Sequence, residues 1–236
     1  MDFQQFFSYL LAPNLRMPIG IVLAYLGALV GSAELLSRTT NMSPEMTRKI
    51  VHIGSGNVIL IAWFGNIPGE IGIAAAFVAG LIALTSYFLP ILPSVNSVGR
   101  QSLGTFFYAL SMGILIWWFW SIQQPYFAVL GILIMTWGDG LAAVIGSNFG
   151  KHPYKIFGNK KSYEGTATMF LVSLVIALLI LSTLSLLAWQ QLVIAAVIAI
   201  TATFLESFAQ FGIDNLSVPV GSAAIAFYLS QYFVSI

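Results

Sequence analysis

The chain has 236 residues, 58% of them hydrophobic and only 7% charged, with a mean hydropathy of +0.91. Soluble domains carry about 25% charged residues, so this composition excludes a soluble domain and defines one polytopic membrane domain. A net charge of +1 argues for no nucleic-acid partner, and the absence of cysteine excludes disulfides and thiolate metal sites.

The N-terminus carries Asp2 and no basic stretch, so it does not read as a signal or transit peptide. Phe3, Phe6, Phe7, Leu10 and Leu11 share one helical face, which predicts an interfacial helix within residues 1–16, closed by Pro13. Spanning a bilayer takes roughly 17–25 apolar helical residues. On that measure the sequence predicts an all-α transmembrane bundle of eight spans, with seven as the alternative. They fall at 17–36, 50–64, 71–89, 103–120, 126–145, 167–187, 192–211 and 218–233. The second is short, but Ser43 as N-cap and Pro44 as first helical residue would lengthen it. The tryptophans and most phenylalanines read as lipid-facing or belt residues.

Eight spans put the loops at 37–49, 90–102, 146–166 and 212–217 on one side. That side holds Arg38, Arg48, Lys49, Arg100, Lys151, Lys155, Lys160 and Lys161, and the other holds only Arg16. Positive charge marks the cytoplasmic side, so the lysine-rich loops are expected there and both termini opposite.

The acids gather towards the same side. Asp139 lies roughly 9 Å below the boundary of span five at 1.5 Å per residue, and Glu206 lies at a similar depth in span seven. Charged groups within a bilayer are costly and mark functional sites. Glu34 and Glu206 read either way, as structural ion-pair partners or as site residues; Asp139, between Gly138 and Gly140, reads as functional. Gly146 and Gly150 form a GxxxG pair that suits close helix packing. The lysine loop that follows also suits phosphate binding. Lys160 and Lys161 precede Ser162, Glu164 and Gly165 at the start of span six, where a helix N-terminus would attract an anion. Arg48 and His52 stand one helical turn apart, and Asp214 and Asn215 occupy the last loop of the basic side. Arg100 reads as a topology determinant. An acid for a metal, glycines for close approach and lysines for phosphate together suggest a metal–nucleotide site at a membrane surface.

Three groups of residues together resemble the polyprenol kinase family, which includes phytol, farnesol and dolichol kinases, with phytol kinase the nearest in size and motif. They are Arg48-Lys49-x-x-His52, then Gly138-Asp139 through Gly146, Gly150 and Lys151 to Lys161-Ser162-x-Glu164-Gly165, and finally Glu206 with Asp214-Asn215 and Pro219. The similarity covers roughly residues 45–220.

The resemblance implies a kinase with CTP as donor, Mg²⁺ as cofactor and a long-chain isoprenoid alcohol as acceptor, as in phytol salvage for tocopherol synthesis. It implies catalytic roles for Asp139, Glu206, Asp214 and His52. Nucleotide contacts would come from Arg48, Lys49, Gly146, Gly150, Lys151, Lys160, Lys161, Ser162, Glu164, Gly165 and Asn215, all in one pocket. Metal contacts would come from Asp139, Glu164 and Asp214. The central motif also resembles phosphatidate cytidylyltransferase. The C-terminal signature of that family is missing here, since His52 and His152 are the two histidines of the chain. A transporter is the alternative of another class. It would need a polar site near the midplane, reachable from both sides, and here one face is almost free of charge.

Overall fold

The computed structural model describes residues 12–40, 44–88, 103–156, 158–208 and 210–234. The expected helix-face residues before position 12, the Ser43 cap and the loop carrying Arg100 lie outside these residues.

The fold is a helical bundle with one small hairpin. Helix α1 (Pro13–Thr39) is followed by α2 (Pro44–Gly56), α3 (Val58–Phe64), α4 (Gly69–Phe88) and α5 (Gly104–Ser121). A continuous helical stretch then runs as α6 (Pro125–Leu133), a π-helical turn (Ile134–Asp139) and α7 (Gly140–Phe149). Strands β1 (Pro153–Ile156) and β2 (Asn159–Ser162) pair antiparallel, before α8 (Tyr163–Leu181), α9 (Ala188–Phe208) and α10 (Asp214–Val234).

Among the described residues six helices are long and apolar enough to cross a membrane: α1, α4, α5, the α6–π–α7 stretch, α8 and α9. The expected second span falls on α2 and α3, which are broken at Asn57 and are not among these six. The expected eighth corresponds to α10, a 21-residue helix with Pro219 inside it. Residues 13–16 belong to α1, so Pro13 opens a helix where the sequence suggested that it closes one. Its missing N–H costs nothing at the first helical position.

Among the described residues the hairpin is the one departure from an all-helical reading. Lys155 faces Lys160 and Tyr154 faces Lys161 across it, and Gly158 takes φ +83° in its turn. Only glycine adopts that backbone without strain.

The α6–π–α7 stretch forms the axis of the bundle. Residues 127–135 are buried all round, as expected of a helix with no polar stripe. Phe119, Phe127 and Phe227 close the core at the end remote from Asp139, with ring centroids 5.5–5.8 Å apart. Phe119 and Phe127 are therefore core residues, whereas Trp117 and Trp189 remain on the surface as expected.

The glycines beside Asp139 set the approach of two neighbouring helices. A Cβ on Gly140 would strike Ile53 of α2, and one on Gly138 would strike Met169 of α8. Gly56 lies against Thr136 in the same manner. Both flanking glycines thus serve helix packing around the acid, where the sequence suggested backbone approach to a ligand.

Candidate active site

Helix α2 presents Lys49, Ile53 and Gly56 on one face, at helical spacings of four and three, and that face meets the π turn. The tight contacts of Gly56 with Thr136 and of Ile53 with Gly140 seat α2 so that Lys49 reaches Asp139. Lys49 Nζ donates to Asp139 Oδ2 at 2.5 Å, and His52 Nε2 stands 3.9 Å from the same oxygen. Lys49 and Asp139 are each only 7% exposed. A π turn inserts one extra residue into a helix and is frequent at functional sites; here it ends on Asp139.

A second ion pair joins the hairpin to α9. Lys161, at the end of the hairpin, donates to a carboxylate oxygen and to the backbone carbonyl of Glu206, each at 2.5 Å. Strand alternation turns Lys161 inward and leaves Lys160 more exposed.

Between these pairs lies a cavity of about 500 Å³, within the range of small-molecule sites. Lys49, Lys160 and Lys161 line it, and Glu206 is the one carboxylate among its lining residues. Gly146, Gly150 and Gly165 form its floor around Ser162. A Cβ on Gly150 would collide with the Gly146 carbonyl, and one on Gly165 would meet the Ala142 carbonyl. The glycines therefore pack α7 against α8 and line the cavity at once. Ser162 caps α8 by accepting from the Gly165 N–H at 3.2 Å. The N-terminus of α8 opens on the cavity, so its N–H groups and three ammonium groups favour an anion there.

Arg48 and His52 do not share this cavity. With Asn215 they line a neighbouring one of about 140 Å³ between α1, α2, α5 and the start of α10. Asn215 Nδ2 donates to the Gly212 carbonyl at 3.1 Å and lies 3.3 Å from Asp214 Oδ1. Asp214 is close enough to Asp139 and Glu206 to feel both charges.

Glu164 and Lys151 stand apart. Glu164 pairs with His152 Nδ1 at 2.7 Å on the outer face of the hairpin, and neither Glu164 nor Lys151 lines the cavity. Glu34 forms an exposed pair with Arg38 at 2.7 Å.

Ala143, Ser147, Pro153 and Thr166 also line the larger cavity, and Tyr108 the smaller one; the sequence singled out none of them. Thr166 follows Gly165 on the first turn of α8, a position the capping argument already marked. Tyr108 sits in an apolar aromatic run and carried no signal.

Among the described residues no three His, Asp or Glu side chains form a metal cage. Mg²⁺ is commonly held by one or two carboxylates together with substrate phosphates. A buried carboxylate beside a cationic cavity fits that mode.

A polytopic bundle with buried acids and a lysine-lined, glycine-floored cavity at one end has the make-up of an integral-membrane enzyme for a phosphate-bearing substrate. Comparison with known proteins narrows this class. The chain is 53% identical over 217 residues to the phytol kinase of Synechocystis sp., covering 92% of this chain and 93% of that protein. It is 32% identical over 244 residues to phytol kinase 1, chloroplastic, of Arabidopsis thaliana, covering 92% and 78%. It is 28% identical over 222 residues to a probable chloroplastic phytol kinase of Triticum aestivum, covering 86% and 73%. No protein-family profile and no solved structure matches the chain. The chain belongs to the phytol kinase family.

Proposed function

We propose that this protein is a CTP-dependent kinase that transfers the γ-phosphate to phytol or a related prenol at the cytoplasmic surface of a membrane. The observation that carries the reading is the 500 Å³ cavity, in which three lysines and a helix N-terminus meet over a glycine floor. Such a set neutralises a polyphosphate. Phosphoryl transfer depends on charge neutralisation and alignment more than on covalent chemistry by the protein.

Lys49, Lys160 and Lys161 would hold the phosphates, with the first turn of α8 against them. Lys161 is itself positioned by Glu206. Asp139 would bind Mg²⁺ jointly with the nucleotide's phosphates, and the metal would offset charge on the transferring group. Lys49 orients the Asp139 carboxylate in a buried setting. The alcohol oxygen bonds to the γ-phosphorus as the bond to the β,γ-bridging oxygen breaks. CDP leaves, and the hydroxyl proton passes to His52, which lines the neighbouring cavity. Glu164, tied to His152, has no part in this scheme.

Purified protein in detergent, given CTP labelled in the γ-phosphate, Mg²⁺ and phytol, is expected to yield labelled phytyl monophosphate and unlabelled CDP. Formation of a CDP-lipid with pyrophosphate would instead identify a cytidylyltransferase, and the absence of any transfer would sink the kinase reading.

A further inference from the structure

We propose that the 140 Å³ cavity between α1, α2, α5 and α10 seats the hydroxyl end of the acceptor alcohol, held by His52 and Tyr108. This rests on the kinase reading above and assigns its second substrate a place.

The two cavities adjoin at the cluster of Lys49, Asp139 and His52. Lys49 lines the larger and His52 the smaller, and Asp139 bonds the first and approaches the second at 3.9 Å. In-line transfer needs donor and acceptor on opposite sides of the moving phosphoryl group. A nucleotide in the larger cavity leaves the smaller one as the acceptor's side.

The chemistry of the smaller cavity suits an alcohol. Val30, Ala33 and Val51 give its wall an apolar side, and Glu34 and Arg48 stand at it as well. Facing them are His52 Nε2 and the Tyr108 hydroxyl, both buried; Nε2 makes no hydrogen bond, and the Tyr108 hydroxyl has only the Ser55 hydroxyl beside it. Their rings lie 4.8 Å apart. The nearby Ser55 hydroxyl donates to the His52 carbonyl at 3.1 Å. Buried polar atoms without partners are rare because each forfeits its hydration. One alcohol oxygen suits both: it accepts from the Tyr108 hydroxyl and donates to His52 Nε2.

The size fits a head group and no more, since pockets for whole ligands run to roughly 300–1,000 Å³. The chain of the alcohol would leave past Val30, which is 56% exposed at the rim. Helix α1 packs mainly on α2 and α3 and buries only Leu15 and Ala33. Its flank is where a molecule dissolved in the bilayer can enter sideways. A larger apolar groove of about 470 Å³ lies at Tyr154, Phe170, Phe204 and Phe208. None of its lining residues carries an unpartnered buried polar atom, and the Tyr154 hydroxyl is already bonded to Thr166 at 2.5 Å.

The test is photolabelling of the full chain in lipid nanodiscs with a long-chain prenol bearing a diazirine beside its hydroxyl carbon. Mass mapping is expected to place the label within residues 30–33 and 105–108. Label confined to residues 170 and 204–208, or absent from the first two stretches, overturns the assignment. This readout needs no turnover, so loss of kinase activity in the unaltered protein would sink the kinase reading and leave the location still measured. In kinetics, Tyr108→Phe keeps the ring and removes the hydroxyl. It is expected to raise KM for phytol about tenfold, the equivalent of one hydrogen bond, and to leave KM for CTP unchanged. An unchanged KM for phytol would also overturn it.

Discussion

Lys49 and Asp139, 90 positions apart in the chain, meet in a buried ion pair at 2.5 Å. The pair gives Asp139 a structural duty as well as its proposed catalytic one. Removing one member of a buried pair strands the other, at a cost of about 3–5 kcal/mol. Loss of activity in a single variant therefore cannot separate the two duties.

A double variant can. Asp139→Asn alone is expected to lower the melting temperature and to reduce turnover by at least about 10²–10³. Lys49→Met combined with Asp139→Asn removes both charges and is expected to recover most of the melting temperature while staying inactive. Recovery of turnover along with stability would make the pair purely structural.

Lys160 and Lys161 should behave differently although adjacent. Lys161→Ala leaves Glu206 buried without its partner, so stability should fall by about 3–5 kcal/mol. Lys160→Ala removes an exposed cation and should raise KM for CTP several-fold with the melting temperature unchanged. Equal thermal losses in both variants would contradict the inward and outward alternation of the hairpin.

The glycines separate by what surrounds them. A Cβ at Gly150 meets the Gly146 carbonyl, whereas nothing lies within 4 Å of one at Gly20. Gly150→Ala should cost about 1–3 kcal/mol through overpacking and weaken nucleotide binding. Gly20→Ala, inside α1, should be neutral or stabilise by about 0.5–1 kcal/mol. Paired melting curves and nucleotide titrations check this. A Gly150→Ala protein with unaltered stability would disprove the close approach of Gly150 to the Gly146 carbonyl and to Ser162.

The chain has no cysteine, so any introduced cysteine is a unique label for topology. Lys155→Cys should react with an impermeant maleimide only from the cytoplasmic side. Gln123→Cys, in the α5–α6 turn, should react only from the other side. Labelling of both from one side would break the eight-span arrangement.

The membrane class and the apolar helices were legible in the sequence because each depends on local chemistry. Hydropathy over about 20 residues marks a span wherever it packs. A charge within such a span is costly enough to mark itself, as Asp139 and Glu206 do. Even the hairpin had its signal in Gly158-Asn159 between alternating residues, although the lysines drew attention to charge alone.

Partnership was not legible, because pairing across 90 residues depends on how helices cross. Local chemistry could name Lys49, His52, Arg48 and Asp139 as one set. Only packing decided that Lys49 and His52 face different cavities across a shared acid, since adjacent turns of α2 diverge by their angle about the helix axis. The same holds for Gly138 and Gly140. Their smallness could be read in the chain, but what it made room for depended on which helices lay against them, and those are α8 and α2.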